Sequence, residues 1–122
     1  MSKIYTIILD NKKIGTSLLE QADAPMGIVF GVISFIDKSF TYSFLSKYCK
    51  DTNIKTTEYP EDKLITTMDI PTLRVLNETG AEIKGESTYI NGMDSDAFYI
   101  NIIGISYPFY EQEFPNHTRW VN

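Results

Sequence analysis

The sequence predicts an α+β domain: a mostly antiparallel sheet of five to seven strands, one main helix packed on one face, and a short helical C-terminal tail. Three observations carry this. Short runs rich in β-branched and aromatic residues recur along the chain, with turn residues between them. Only one segment, about 39–52, shows a clear helical stripe. Most of the strand runs are joined at hairpin spacing, which favours an antiparallel sheet with the helix laid against it.

The elements follow in order. Ile4-Tyr5-Thr6-Ile7-Ile8-Leu9 reads as a strand, Asp10-Asn11-Lys12-Lys13 as a turn, and Ile14 to Leu19 as the returning arm. Asp23-Ala24-Pro25 breaks the chain, because proline restricts both itself and its predecessor. Residues 28–35 are apolar at both alternating sets of positions, the pattern of a strand buried on two sides and central in a sheet. Gly31 within it suggests a bulge or a close backbone approach. In the helix, Phe40, Phe44, Leu45 and Tyr48 form one stripe, Asp37 or Ser39 supplies the N-cap, and Lys47 and Lys50 complement the dipole near the end. Tyr59-Pro60-Glu61-Asp62 reads as a turn and Lys63 to Thr67 as a short strand. Leu73 to Leu76 is a strand, Asn77-Glu78-Thr79-Gly80 a turn, and Ala81 to Gly85 its return. Asn91-Gly92 marks a turn, and residues 97–105 alternate as a strand with one strongly apolar face. Beyond Pro108 the tail makes one or two helical turns, with Pro115 at a helix start.

The 122 residues predict one domain, 1–122. Eleven basic residues against sixteen acidic ones give a net charge of −5. Lys12-Lys13 is the only adjacent basic pair, so a phosphate-neutralising surface for nucleic acid is not expected. An acidic balance suits a basic protein partner. The single cysteine, Cys49, allows no internal disulfide and fits a reducing compartment. The longest apolar run, 26–36, is about half the ~20 residues a spanning helix needs. With no leader pattern at Met1, a cytoplasmic location without membrane contact is the expectation.

Chemistry-bearing patterns are sparse. His117 is the only histidine, and Cys49 lies beside the apolar helix stripe, where a thiol is packing rather than nucleophile. No Gly-x-Ser-x-Gly elbow, Walker loop or Gly-x-Gly-x-x-Gly stretch is present. Asn91-Gly92-Met93-Asp94-Ser95-Asp96 lacks the third ligand and the distal glutamate of a calcium loop, so it reads as a solvated turn. One His and one Cys cannot assemble a zinc site. No metal and no cofactor are expected, and catalysis is not favoured. The unusual chemistry lies in the tail, where Tyr107, Tyr110, Glu111, Glu113, His117 and Trp120 match the composition of binding hot spots. Phe109, Phe114 and Trp120 would cover the sheet, leaving Tyr110, Glu111 and Glu113 outside.

Two segments together carry a resemblance. Asp23-Ala24-Pro25-Met26-Gly27 resembles an Asp-x-Pro-Met-Gly signature. Gly104-Ile105-Ser106-Tyr107-Pro108-Phe109-Tyr110, followed by Phe114-Pro115-Asn116-His117, resembles Gly-Ile-x-Tyr-Pro-x-Tyr…Phe-Pro-x-His. Both resemble signatures of small bacterial proteins of similar length that have no assigned activity. The resemblance implies a bacterial, cytoplasmic, single-domain protein and carries over no catalytic residue. If the two motifs meet, their backbones pack at one end of the sheet, and His117 is placed to bond Asp23.

The functional expectation is a non-enzymatic, acidic protein-binding module of the inhibitor or immunity type, acting on a basic protein as a monomer or small homo-oligomer. The alternative is a small enzyme or small-molecule-binding domain with a pocket near the C-terminal Tyr/Glu/His segment. A subunit of a larger assembly, joined through exposed tyrosines, is a third reading.

Overall fold

A computed structural model describes residues 3–118. The α+β class holds, and the strands are shared between two antiparallel sheets. In the first hairpin, β1 (Tyr5–Leu9) pairs with β2 (Lys12–Ser17). Asp10 and Asn11 both take the left-handed conformation, with φ 53° and 66°. A two-residue turn of this hand follows the twist of the strands, and Asp and Asn tolerate it. The second arm therefore starts at Lys12, two residues before the expected Ile14. On the other side of β1 lies β8 (Leu73–Leu76). Tyr5, Ile7 and Leu9 alternate inward and pack with Leu73 and Val75.

Residues 12–23 and 28–35 form one long hairpin that bends from one sheet into the other. In the first sheet β2 pairs with β5 (Ser34–Phe35); in the second, β3 (Gln21–Asp23) pairs with β4 (Ile28–Val32). Between these pairings residues 17–20 face residues 31–33, so the first arm carries one residue more. Such an insertion bends the ladder. The Leu19 N–H donates to Ser17 Oγ at 3.1 Å, and the Val32 N–H donates to the Glu20 carboxylate at 3.0 Å. Gly31 is required there: a Cβ would lie 2.5 Å from Glu20 Oε1 and 2.9 Å from Leu19 Cα. The close approach read from Gly31 is thus what the corner needs.

The second sheet adds β6 (Thr56–Tyr59), β7 (Leu64–Thr67), β9 (Ser87–Met93) and β10 (Phe98–Ile103), in the order β3-β4-β10-β9-β7-β6. Three expectations are corrected here. β4 is next to the edge rather than central, and only Val29 and Gly31 are buried in it. Asn91-Gly92 lies inside β9; the turn falls two residues later, closed by the Asp96 N–H on the Met93 carbonyl. Residues 81–85 return beside β8 through a single bridge, Leu76 to Glu82, and form no strand.

The helix α1 spans Tyr42–Asp51, shorter than 39–52. Its cap is Thr41, whose Oγ1 accepts the Phe44 N–H at 3.3 Å. Asp37 and Ser39 are unavailable for capping, because the Asp37 carboxylate accepts from both the N–H and the hydroxyl of Ser39. The Asp94 carboxylate, in the β9–β10 turn, accepts the Tyr42 N–H at 2.8 Å, a favourable charge for a helix start. At the far end Asn53 turns left-handed with φ 60°, and the Ile54 N–H reaches the Cys49 carbonyl at 2.8 Å. The buried face is Leu45, Ser46 and Cys49, whereas Phe44 stays 41% exposed. Of the predicted stripe, Phe40 and Leu45 are buried and Tyr48 packs half-buried against the core, so only Phe44 departs from it. Glu58 braces the buried face from the inner side of β6: its carboxylate accepts from Tyr42 Oη at 2.7 Å, Ser46 Oγ at 2.8 Å and the Thr56 hydroxyl. The core fills the space between the first sheet, α1 and the inner face of the second sheet, where Ile65, Ile90, Ile100 and Ile102 are fully buried.

Candidate functional site

The tail was the expected site, and the structure makes most of it a tie. The Asp-x-Pro-Met-Gly segment is the tip of the bent hairpin: a short 3₁₀ turn over Ala24–Met26, closed by Gly27 at φ 66°. The second motif leaves β10 directly against it. The Ile105 N–H donates to the Gly27 carbonyl at 3.0 Å. Tyr107 Oη donates to the Ala24 carbonyl, and Tyr110 Oη to the Ile28 carbonyl, each at 2.9 Å. The two motifs do meet, at one end of the six-stranded sheet. A short helix α2 (Phe109–Glu113) and a 3₁₀ turn over Pro115–His117 follow.

Individual side chains then sort by burial. Tyr110 is fully buried, and its removal from water pushes the phenol up to about 12. Glu113 also turns inward: it accepts from Tyr5 Oη at 2.9 Å and Asn77 Nδ2 at 3.0 Å, with Lys3 Nζ at 3.5 Å. Neither stays outside as expected, because each has internal hydrogen-bond partners that make burial affordable. His117 lies 2.8 Å from the Leu19 carbonyl through Nε2, which must carry the proton, and its ring stacks on Phe114. The contact sketched with Asp23 is replaced by this one. Tyr107 and Glu111 remain on the surface, and Trp120 lies outside the described residues.

Glu113 and His117 do share a shallow groove of about 320 Å³ with Lys3, Tyr5, Leu19 and Glu20. Its two best candidate acid–base groups are already bonded to other parts of the chain. Cys49 is no nucleophile for them: it is fully buried on α1, and desolvation raises its thiol to about 11. Among the described residues no three His, Cys, Asp or Glu side chains converge as a metal site, and no helix is long and apolar enough to cross a membrane.

A different surface stands out once the register is known. Ile100 pairs with Ile90 and Gly31, and these face the core. The alternate positions face outward: Phe30 and Val32 of β4, Tyr99 and Asn101 of β10, Tyr89, Asn91 and Met93 of β9, Leu64 and Thr66 of β7, and Thr57 and Tyr59 of β6. None belongs to the core cluster and none of these side chains is charged; the edge strand β3 adds Gln21 and the charged Asp23, paired with Phe30 and Ile28. The helix lies on the opposite side, against Glu58 and Ile65, so no helix or second sheet among the described residues packs across this face. Asn101 Nδ2 donates to Asn91 Oδ1 at 2.7 Å in the middle of it, tying β10 to β9. Exposed Glu61 and Asp62 stand at the β6–β7 turn, and Asp94 and Asp96 at the adjacent β9–β10 turn. The Asp94 N–H donates to the Lys63 carbonyl at 3.3 Å, so the two turns sit together. Sequence reasoning missed this face because Asn91-Gly92 was read as a turn. Its one legible signal was the absence of charge at every second position of 87–103.

No family model matches the chain, and no curated protein and no solved structure matches it.

Proposed function

We propose that the chain is a non-enzymatic protein-binding module that docks through the outer face of the six-stranded sheet and uses its acidic turns to select a basic partner. Small bacterial inhibitors or immunity proteins would act in this way. The observation that supports the reading is the tyrosine-bearing sheet face, uncharged from β4 to β6, with carboxylates at its edges. Interfaces commonly combine an aromatic centre with a polar rim, and tyrosine is enriched among their strongest contacts. Six strands at ~4.8 Å spacing and ~20 Å length give about 500 Å² of flat face. With its rim, that approaches the ~800 Å² per partner of an ordinary stable complex. A net charge of −5 adds attraction toward a basic surface.

A capture experiment with paired variants tests this. Tyr89→Ser/Tyr99→Ser removes the aromatic centre, and Asp62→Lys/Asp96→Lys reverses the rim. The expected result is one basic protein retained by the wild-type chain, lost with the first variant, and weakened by the second variant and by salt. Retention that is indifferent to both variants, with their circular dichroism unchanged, refutes the proposal. The alternative of a small-molecule site at the tail has the groove in its favour, but there Glu113 and His117 are engaged by Tyr5, Asn77 and Leu19.

A further inference from the structure

A second cleft, away from the tail and from the outer sheet face, has the opposite character: its basic groups are uncommitted. It lies between the β1–β2 turn, residues 36–40 and the exposed flank of α1, with a volume of about 320 Å³. Its wall is an aromatic run, with Phe40 and Phe44 centroids 5.1 Å apart and Phe44 and Tyr48 centroids 6.4 Å apart. Phe40 stacks in turn on Phe35 at 4.5 Å, which anchors the run to the core. Phe44 is 41% and Ile36 60% exposed, so the cleft holds apolar surface that folding did not remove from water.

Lys12 and Lys13 also line it. They are the only adjacent cations in a chain of net charge −5 and follow the left-handed Asp10-Asn11 turn; Lys12, paired with the inward Leu9, is on the cleft's side of β2, and Lys13 borders it from the next position. Neither makes an ion pair or a side-chain hydrogen bond among the described residues. Two carboxylates, Asp10 and Asp37, line the cleft as well; Asp37 accepts from the N–H and hydroxyl of Ser39 and stays charged, with Lys12 near it. Uncommitted ammonium donors beside a flat apolar wall match one class of ligand.

We propose that this cleft binds a small organic anion with a flat apolar body, such as an aromatic carboxylate or sulfonate. The ring would lie against Phe44 and Tyr48, and the anion would meet Lys12, with Lys13 at the margin of the cleft. This site stands independently of the protein-docking face, since the two share no residue.

The test is a two-dimensional NMR titration of the full chain with three probes: naphthalene-2-sulfonate, uncharged naphthalene-2-methanol and cationic 2-naphthylmethylamine. The sulfonate is expected to shift the amides of Lys12, Ile36 and Phe44 with a Kd of about 1 mM. Two exposed lysines are expected to make it roughly three- to tenfold tighter than the uncharged probe. Lys12→Gln/Lys13→Gln should bring the sulfonate to the affinity of the uncharged probe while leaving that probe unchanged. Phe44→Ala, at a partly exposed position, should weaken both. Equal affinity of all three probes overturns the proposal, as do shifts confined to Tyr89 and Tyr99 or no shifts at all.

Discussion

Gly27 is where the two motifs touch, and replacing it tests the whole account of the tail. Its φ is 66°, and a Cβ there would lie 2.6 Å from the Ile105 carbonyl oxygen and 3.0 Å from the Ile105 nitrogen. The left-handed conformation costs a residue with a Cβ about 1–2 kcal/mol. The clash is with backbone, which cannot rotate away, so the Ile105 N–H to Gly27 carbonyl bond must lengthen or break, at about another 1 kcal/mol. Gly27→Ala should therefore destabilise the fold by about 2–3 kcal/mol. Gly80 provides the control: its φ is also positive, at 89°, yet nothing stands within 4 Å of where its Cβ would be. Gly80→Ala should cost about 1 kcal/mol or less, because stiffening the unfolded chain offsets part of the penalty. Urea unfolding followed by circular dichroism at unchanged slope measures both. At ~2.1 cal/mol/K per residue, the Gly27 variant should melt about 8–12 °C lower. If the two variants differ by less than about 0.5 kcal/mol, the close approach is not a source of stability and the packing argument fails.

Four further outcomes follow from the same geometry. Tyr110→Phe should cost about 1–2 kcal/mol by leaving the Ile28 carbonyl without its donor, and a neutral result by urea titration would remove Tyr110 from the tie. Cys49 should resist a thiol reagent at pH 8 in the folded chain and react fully in strong denaturant; rapid native modification would show that α1 opens. Three hydroxyl donors hold the Glu58 carboxyl below its ordinary value, so its stabilisation is complete above the unfolded value of ~4.3 and is lost as pH falls through the lower folded value. Wild type should thus lose more stability than Glu58→Gln between pH 5 and 3, and parallel curves would disprove the hub. At the alkaline end the phenols of Tyr5 and Tyr110 are raised, so both stay neutral in the folded chain while unfolded tyrosines ionise near ~10. Their contribution is intact below that pH and declines as pH climbs toward the folded values, which a denaturation series from pH 9 to 11 will show.

The sequence by itself determined the element types. Period-two alternation, one helical stripe and turn residues are local signals, and they located most strands, the single helix and the Pro115 start within a few residues. That the two motifs meet is decided by tertiary structure: the Ile105 N–H reaches the Gly27 carbonyl across a long stretch of chain. The helical stripe is legible at Phe40, Leu45 and Tyr48, but Phe44 looks as apolar as Leu45 and stays exposed, while the carboxylate of Glu58, brought over from β6, bonds the Tyr42 and Ser46 side. Tyr110 and Glu113 looked like surface residues because an aromatic hydroxyl and a carboxylate are polar in isolation. Their partners, Ile28, Tyr5 and Asn77, are distant in sequence and appear only after folding. The uncovered sheet face is likewise a property of strand order, for an outward residue is recognised only when its neighbours across the ladder are known. Local chemistry chooses the pieces; long-range pairing, which no single segment encodes, decides which of their faces meet water.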